Sequence, residues 1–136
     1  MALINWDNSL SVNIKEIDDQ HKQLFDKINQ LYSAIINGGA LTEVSETIGF
    51  LEDYADFHFS SEERLMEESS YPDASVHKAE HWKFKQQIEE LKTELKDQGV
   101  SVQIAVKVQR SIRDWLVTHI RVTDKSLGRY LADKQD

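Results

Sequence analysis

Two short stretches decide how this chain folds: His58-Phe59-Ser60-Ser61-Glu62-Glu63 and His77-Lys78-Ala79-Glu80-His81. Each sets two potential metal ligands four residues apart, His58 with Glu62 and His77 with His81. Residues at that spacing share one face of an α-helix. In both stretches the shared face is also the apolar one. Val44, Ile48, Leu51 and Ala55 lead into His58, and Leu65 follows Glu62. Phe84, Ile88, Leu91 and Leu95 continue the face of His81. This spacing of three and four predicts two amphipathic helices with histidines on their buried stripes.

Two more helices are predicted outward from this pair. Before it, Leu24, Phe25, Ile28, Leu31, Tyr32 and Ile35 form a stripe that starts three residues after His21 and stops at Gly38-Gly39, where glycine suits a helix end. After it, Ala105, Val108, Ile112 and Trp115 lead to His119. Thr42 and Ser101 are placed to cap the second and fourth helices, and Gly99 to close the third. Ser69 to Asp73, with the only proline at position 72, breaks the chain between helices two and three. Connections of about 4–8 residues predict an all-α, up-down-up-down antiparallel four-helix bundle. An irregular N-terminal arm of about 17 residues precedes it, and a short last helix runs from about Lys125 to Leu131. The expectation is one domain over residues 1–136.

Composition narrows the function. The chain has 136 residues, 40% hydrophobic and 29% charged, which is enough to bury a core without staples. With 24 Asp+Glu against 16 Lys+Arg the net charge is −8, a poor match for nucleic acid. No apolar run approaches the ~18 residues needed to cross a membrane, so no membrane insertion is expected. Met1 to Leu10 shows no signal-peptide pattern. Cysteine is absent, which excludes disulfides and thiolate metal sites. A cytoplasmic location and a monomer are the corresponding expectations.

All five histidines fall on the inward stripes. One histidine on such a stripe is usually a hydrogen-bonded core residue, and paired acids such as Glu62-Glu63 are usually a solvated face. Together, however, His21, His58, Glu62, His77, His81, His119 and Asp124 cannot all be innocent. Burying one unsatisfied polar group costs about 2–7 kcal/mol, and a domain's whole stability is only about 5–15 kcal/mol. The stripes hold almost no basic residues to neutralise them. Imidazole and carboxylate are ligands for first-row divalent ions, so bound metal resolves the imbalance; ligand type alone also admits manganese or zinc. Seven ligands are too many for one ion and suit two octahedral ions that share both carboxylates, with one coordination position left open. His119 and Asp124 are five residues apart, about 140° on a regular helix, which predicts a bend, a π-type bulge or a helix end between Ile120 and Asp124.

These residues resemble the hemerythrins, specifically the single-domain bacterial kind. The matching elements are Ile17-Asp18-Asp19-Gln20-His21, the two stretches quoted first, Tyr71-Pro72, and Trp115 through His119-Ile120 to Asp124. Myohemerythrin is itself a four-helix bundle, so the fold is part of the resemblance. The resemblance implies two iron ions (Fe2+/Fe3+) joined by an oxo or hydroxo bridge. His77, His81 and His119 would hold one ion and His21 and His58 the other, with Glu62 and Asp124 bridging. Leu24, Phe59, Trp115, Leu116 and Ile120, which neighbour these ligands, would wall an apolar oxygen pocket.

The implied function is reversible dioxygen binding for storage, transport or delivery, with an oxygen-consuming enzyme as a candidate partner. A di-iron redox enzyme, a nitric-oxide or peroxide scavenger, a sensor acting through a separate partner, and a metal buffer are the competing readings. Known di-iron carboxylate enzymes use four carboxylates, which argues against the oxidase form. Lys107, Arg110, Arg113, Arg121, Lys125 and Arg129 could form a docking strip, although a solvated face with local salt bridges is the commoner meaning of such a pattern.

Overall fold

A computed structural model describes residues 5–38 and 40–134, with side chains for all of these except 40–42 and 134. Four long helices carry the fold: α1 (Lys15–Asn37), α2 (Ala40–Ser69), α3 (Ala74–Gln98) and α4 (Val102–Thr118). A π-helical turn, His119–Asp124, joins α4 to α5 (Lys125–Lys134). Helix α1 packs against α2 and α4, and α2 packs against α3, so chain neighbours are spatial neighbours around an antiparallel bundle. Among the described residues there are no strands.

The helix ends follow local chemistry. Gly38 ends α1 in the left-handed conformation, φ 86°, and its N–H donates to the Ala34 carbonyl. Gly99 also has positive φ, 79°, and its N–H donates to the Leu95 carbonyl at 2.9 Å. Side chains with a Cβ rarely adopt such backbone angles. The Ser101 hydroxyl accepts from the Ile104 N–H at 3.2 Å and so caps α4. Gly39 lies outside the described residues, as does the side chain of Thr42. Helix α2 already begins at Ala40, which places Thr42 within the helix instead of at its cap.

Several expectations are corrected in detail. Two connections are tighter than the expected ~4–8 residues, with two residues between α1 and α2 and three between α3 and α4, while the four between α2 and α3 fall within it. The N-terminal arm ends by Ile14, includes a 3-10 turn at Asn8–Leu10, and is firmly packed. Leu10 and Val12 are buried in the core, and Trp6 packs on Phe25 with ring centroids 5.7 Å apart. The Val12 N–H donates to the Asp18 carboxylate at 2.9 Å, tying the arm to the first turn of α1. Where α2 runs on past Glu62, Met66 is the buried position and Leu65 lies half-buried at the edge.

The core divides around a polar layer. Most of the apolar interior, from Leu31 and Leu51 to Ile88 and Ile112, lies toward the α1–α2 and α3–α4 connections. A smaller cluster, Met66, Tyr71 and Leu127, lies under α5. Burying a Leu, Ile or Phe side chain contributes about 1.5–3 kcal/mol each, so the many such residues can offset the cost of a polar layer between them.

Candidate metal centre

The polar layer is built by one residue or pair from each helix. His21 comes from α1, His58 and Glu62 from α2, His77 and His81 from α3, His119 from the end of α4, and Asp124 from the π turn. All seven are at most 1% exposed. The π turn settles the five-residue spacing that a regular helix could not accommodate. Its wider i→i+5 winding brings Asp124 round to the face of His119, and Nε2 of His119 lies 3.1 Å from Asp124 Oδ1.

The imidazoles divide into two sets about the two carboxylates. Glu62 Oε1 faces His58 Nε2 at 2.7 Å and His21 Nε2 at 3.6 Å. Its other oxygen, Oε2, faces Nε2 of His77, His81 and His119 at 2.7, 3.2 and 3.7 Å. Asp124 repeats the split, with Oδ2 2.9 Å from His21 and Oδ1 3.1 Å from both His77 and His119. Two groups of donor atoms each converge within 4.8 Å: Glu62, His77, His81, His119 and Asp124 on one side, and His21, His58, Glu62 and Asp124 on the other. Both carboxylates belong to both groups.

Charge and hydrogen bonding show what this geometry lacks. Among the described residues, nine buried side-chain polar atoms have no hydrogen-bond partner, and eight belong to this cluster. They include Nε2 of His21, His58 and His119, Oε1 of Glu62 and both oxygens of Asp124. Unsatisfied buried groups are rare in proteins, and their convergence on one spot marks a place for a ligand. Electrostatics gives the sign of that ligand's charge. Burial pushes the His21 and His77 imidazoles down, but the Asp124 and Glu62 carboxylates outweigh it and raise both to about 9. His119 is raised well above its usual value by the same pair against the same burial. Burial pushes the Glu62 carboxyl up, yet its imidazole neighbours, His58 foremost, hold it well below the usual range. Asp124 is raised by burial and by Glu62 but lowered on balance, chiefly by His119. The donor set therefore fits cations, and its split fits two.

A second ring of contacts orients the imidazoles. His58 Nδ1–H donates to Gln20 Oε1 at 2.6 Å, and the Gln20 amide donates to Ser61 Oγ at 3.2 Å. His81 Nδ1–H donates to Glu63 at 2.9 Å. His119 Nδ1–H donates to Glu80 at 3.1 Å, and Thr123 holds that carboxylate through its hydroxyl at 2.8 Å. Each contact holds the Nδ1 proton and turns Nε2 toward the cluster. None of these four holders, Gln20, Glu63, Glu80 and Thr123, is evident from the histidine motifs alone. Glu63 is half-buried and occupied, not part of a merely solvated acidic run.

An apolar cavity of about 10 Å³ adjoins the cluster, walled by Leu24, Leu51, Ala55, Phe59, Phe84, Ile112, Trp115 and Leu116. Leu24, Ala55, Phe84 and Trp115 each sit one helical turn from a histidine, after it on α1 and α3 and before it on α2 and α4, as antiparallel helices require. Phe59 stacks on the His81 ring at 3.9 Å and Trp115 on the His119 ring at 4.4 Å. Four of the five expected wall residues line this cavity. Ile120 is fully buried but is not among its walls.

Of the basic strip, Lys107 pairs with Glu94 at 2.7 Å and Arg113 with Asp114 at 2.8 Å, so these two take part in local salt bridges. No helix among the described residues is long and apolar enough to cross a membrane.

Fold and site together define an all-helical bundle with a buried cluster of side chains that could hold metal ions. Comparison with known proteins gives the family. Residues 12–131 match the Hemerythrin HHE cation binding domain. The chain is 35% identical over 133 residues to a bacteriohemerythrin of Methylococcus capsulatus, covering 97% of this chain and 99% of that protein. It is also 35% identical over 120 residues to a hemerythrin-like protein of Naegleria gruberi, covering 88% of this chain and 87% of the other. The crystal structure of a wild-type hemerythrin superposes with a TM-score of 0.82 at 34% identity, over 96% of this chain and 99% of that one. The chain belongs to the hemerythrin family.

Proposed function

We propose that this protein binds dioxygen reversibly at a pair of iron ions, and stores, carries or delivers it. One observation carries the reading: two carboxylates each present one oxygen to a three-imidazole set and the other to a two-imidazole set, beside a small apolar cavity. In this reading His77, His81 and His119 would hold one ion and His21 and His58 the other. Glu62 and Asp124, each facing both sets, would be shared between the two. When bound, the iron pair supplies reversible redox chemistry toward dioxygen.

The rest is the work of this chain's side chains. Gln20, Glu63 and Glu80 keep Nδ1 protonated on three imidazoles, so that Nε2 is free to coordinate. The uneven split leaves the two-imidazole side with fewer protein ligands, so that side would keep a position for a small ligand. Leu24, Phe59, Trp115 and Leu116, backed by the buried Ile120, exclude water and the protons it would bring. No general acid or base is assigned, in keeping with a binding protein and not an enzyme. The reading extends to a monomer in the cytoplasm and to an oxygen-consuming enzyme as the recipient.

The test is the visible absorption of iron-loaded protein, reduced without oxygen, then exposed to air and returned to argon, with iron assayed on the same sample. Two irons per chain and a band that appears in air and disappears under argon are expected. Two irons with only a permanent oxidised spectrum would instead support redox catalysis or scavenging.

A further inference from the structure

We infer that dioxygen reaches the centre between α2 and α3, through a thin wall formed by Leu51, Ala55 and Phe84. The inference rests on the oxygen-binding reading above. A ligand bound for the centre passes among the side chains that line the inner cavity. A surface cleft of about 250 Å³ lies between α2 and α3, and its floor includes Leu51, Ala55 and Phe84, the same three residues that wall the cavity. By contrast, the cleft between α3 and α4 lined by Glu80, Thr118 and His119 shares only Trp115 with the cavity. Ala55 is the smallest of the three shared residues and is itself buried. Where its methyl stands, one small side chain separates the outer cleft from the inner space.

The mouth of the cleft suits a small neutral molecule. Glu52, Asp53, Asp56 and Glu89 line it with Lys85 as the one base. Lys85 bridges the rim to Asp56 at 2.8 Å, and Lys92 to Glu52 at 2.6 Å. Both pairs are substantially exposed, so they do not lock the two helices together. The acidic surplus repels anions, while the apolar wall beyond resists water and hydrated ions. An uncharged diatomic gas meets neither obstacle.

The test uses full-length, iron-loaded, reduced protein mixed rapidly with oxygenated buffer, with dissociation followed separately after oxygen is removed. Lys85→Trp lays an aromatic ring over the cleft from an exposed position and leaves the core intact. It should slow association and dissociation by the same factor, about tenfold for each ~1.4 kcal/mol added to the barrier, with affinity and absorption band unchanged. Ala55→Leu, which thickens the wall itself, should slow association further. Thr118→Trp, in the α3–α4 cleft, should change neither rate. Unchanged association in both Lys85→Trp and Ala55→Leu, or slowing by Thr118→Trp alone, would overturn this route. A Lys85→Trp effect on dissociation alone would place that position in the binding site and overturn it too. If the parent chain shows no reversible band, the oxygen-binding reading itself fails, and this route with it.

Discussion

Replacing Glu62 by Gln tests the bridge most directly, because it keeps the side chain's volume and removes its charge and one oxygen. Glu62 is fully buried, and its two oxygens lie 2.7–3.7 Å from the Nε2 atoms of all five histidines. In the variant, Asp124 is left as the single buried carboxylate among five imidazoles, and an amide N–H₂ faces one of the two sets. An amide nitrogen is a poor ligand, so one set loses its bridge, and iron should fall from two per chain to one or fewer. Iron-free stability should also fall. Removing one partner from a buried ion pair typically costs about 3–5 kcal/mol, a large share of a total near 5–15 kcal/mol. With a urea dependence of about 2 kcal/mol per molar, the unfolding midpoint drops by roughly 2 M. Far-UV circular dichroism of chelator-treated protein measures the midpoint, and a colorimetric assay after anaerobic loading measures the iron. Glu63→Gln is the control: its side chain is one-third exposed and touches only the outer nitrogen of His81, so two irons should remain. Two irons per chain in folded Glu62→Gln protein would refute the bridging assignment.

Further outcomes follow from the same geometry. Leu116→Ala opens the cavity wall to water, so autoxidation, followed as decay of the oxygenated band, should be faster than in the parent; an unchanged rate would remove Leu116 from the pocket. Proton release on loading follows from His21 and His77, both raised to about 9 in the iron-free protein and therefore charged at pH 7. Loading with Zn2+ or anaerobic Fe2+ at pH 7 should release at least two protons per chain, and fewer as pH climbs through 9, read with an indicator dye in weak buffer. The sign for stability is opposite to that for affinity. A raised imidazole stabilises the iron-free fold fully below its ordinary value of 6.5 and loses that contribution as pH rises through about 9, whereas metal affinity increases over the same window. Gly128→Ala would place a Cβ 2.2 Å from the Val12 carbonyl oxygen, so α5 or the arm must shift. A loss of about 1–3 kcal/mol is expected in thermal or urea unfolding, and an unchanged midpoint would show that the arm yields freely.

How far the sequence leads depends on whether a feature is local. Helical periodicity, Gly38 and Gly99 as terminators and Ser101 as a cap are local facts, and the structure agrees with them. A departure from regular winding was foreseeable as well, as a bend, a π-type bulge or a helix end, since five-residue spacing between two ligands cannot lie on one face of a regular helix; the structure selects the π turn. Contacts between helices are different. Glu80 lies beside its helix's apolar stripe, at a position where a polar residue is ordinarily solvated, and Gln20 lies on one but with no local sign of its partner. Only the distance from α1 to α2, and from α3 to α4, decides that they hold His58 and His119 instead. A signal was present in hindsight, for Gln20 falls between Ile17 and Leu24 on a stripe otherwise reserved for apolar residues and His21. The contact between Gly128 and Val12 joins the last helix to the arm, and no local pattern announces it.

The size of the inner cavity bears on the choice among di-iron functions more than the ligands do. An oxidase acting on an organic substrate needs that substrate beside the metal, and small-molecule pockets run to about 300–1,000 Å³. The cavity here is about 10 Å³, the space of a single water molecule. Enlarging it means separating Phe59 from Phe84, Phe59 from Trp115 and Phe84 from Trp115, whose rings stand 5.5, 5.8 and 4.4 Å apart. Those contacts lie in a core packed at near-crystalline density, where such a change is costly. A ligand of one or two atoms fits without it. The donor set points the same way, since five neutral imidazoles and two carboxylates supply less negative charge to stabilise high-valent iron than four carboxylates would. Dioxygen and nitric oxide both meet the size limit, so the carrier and scavenger readings differ in chemistry and not in fit. Return of the absorption band through repeated cycles of air and argon separates them, because a scavenger consumes its ligand and a carrier gives it back.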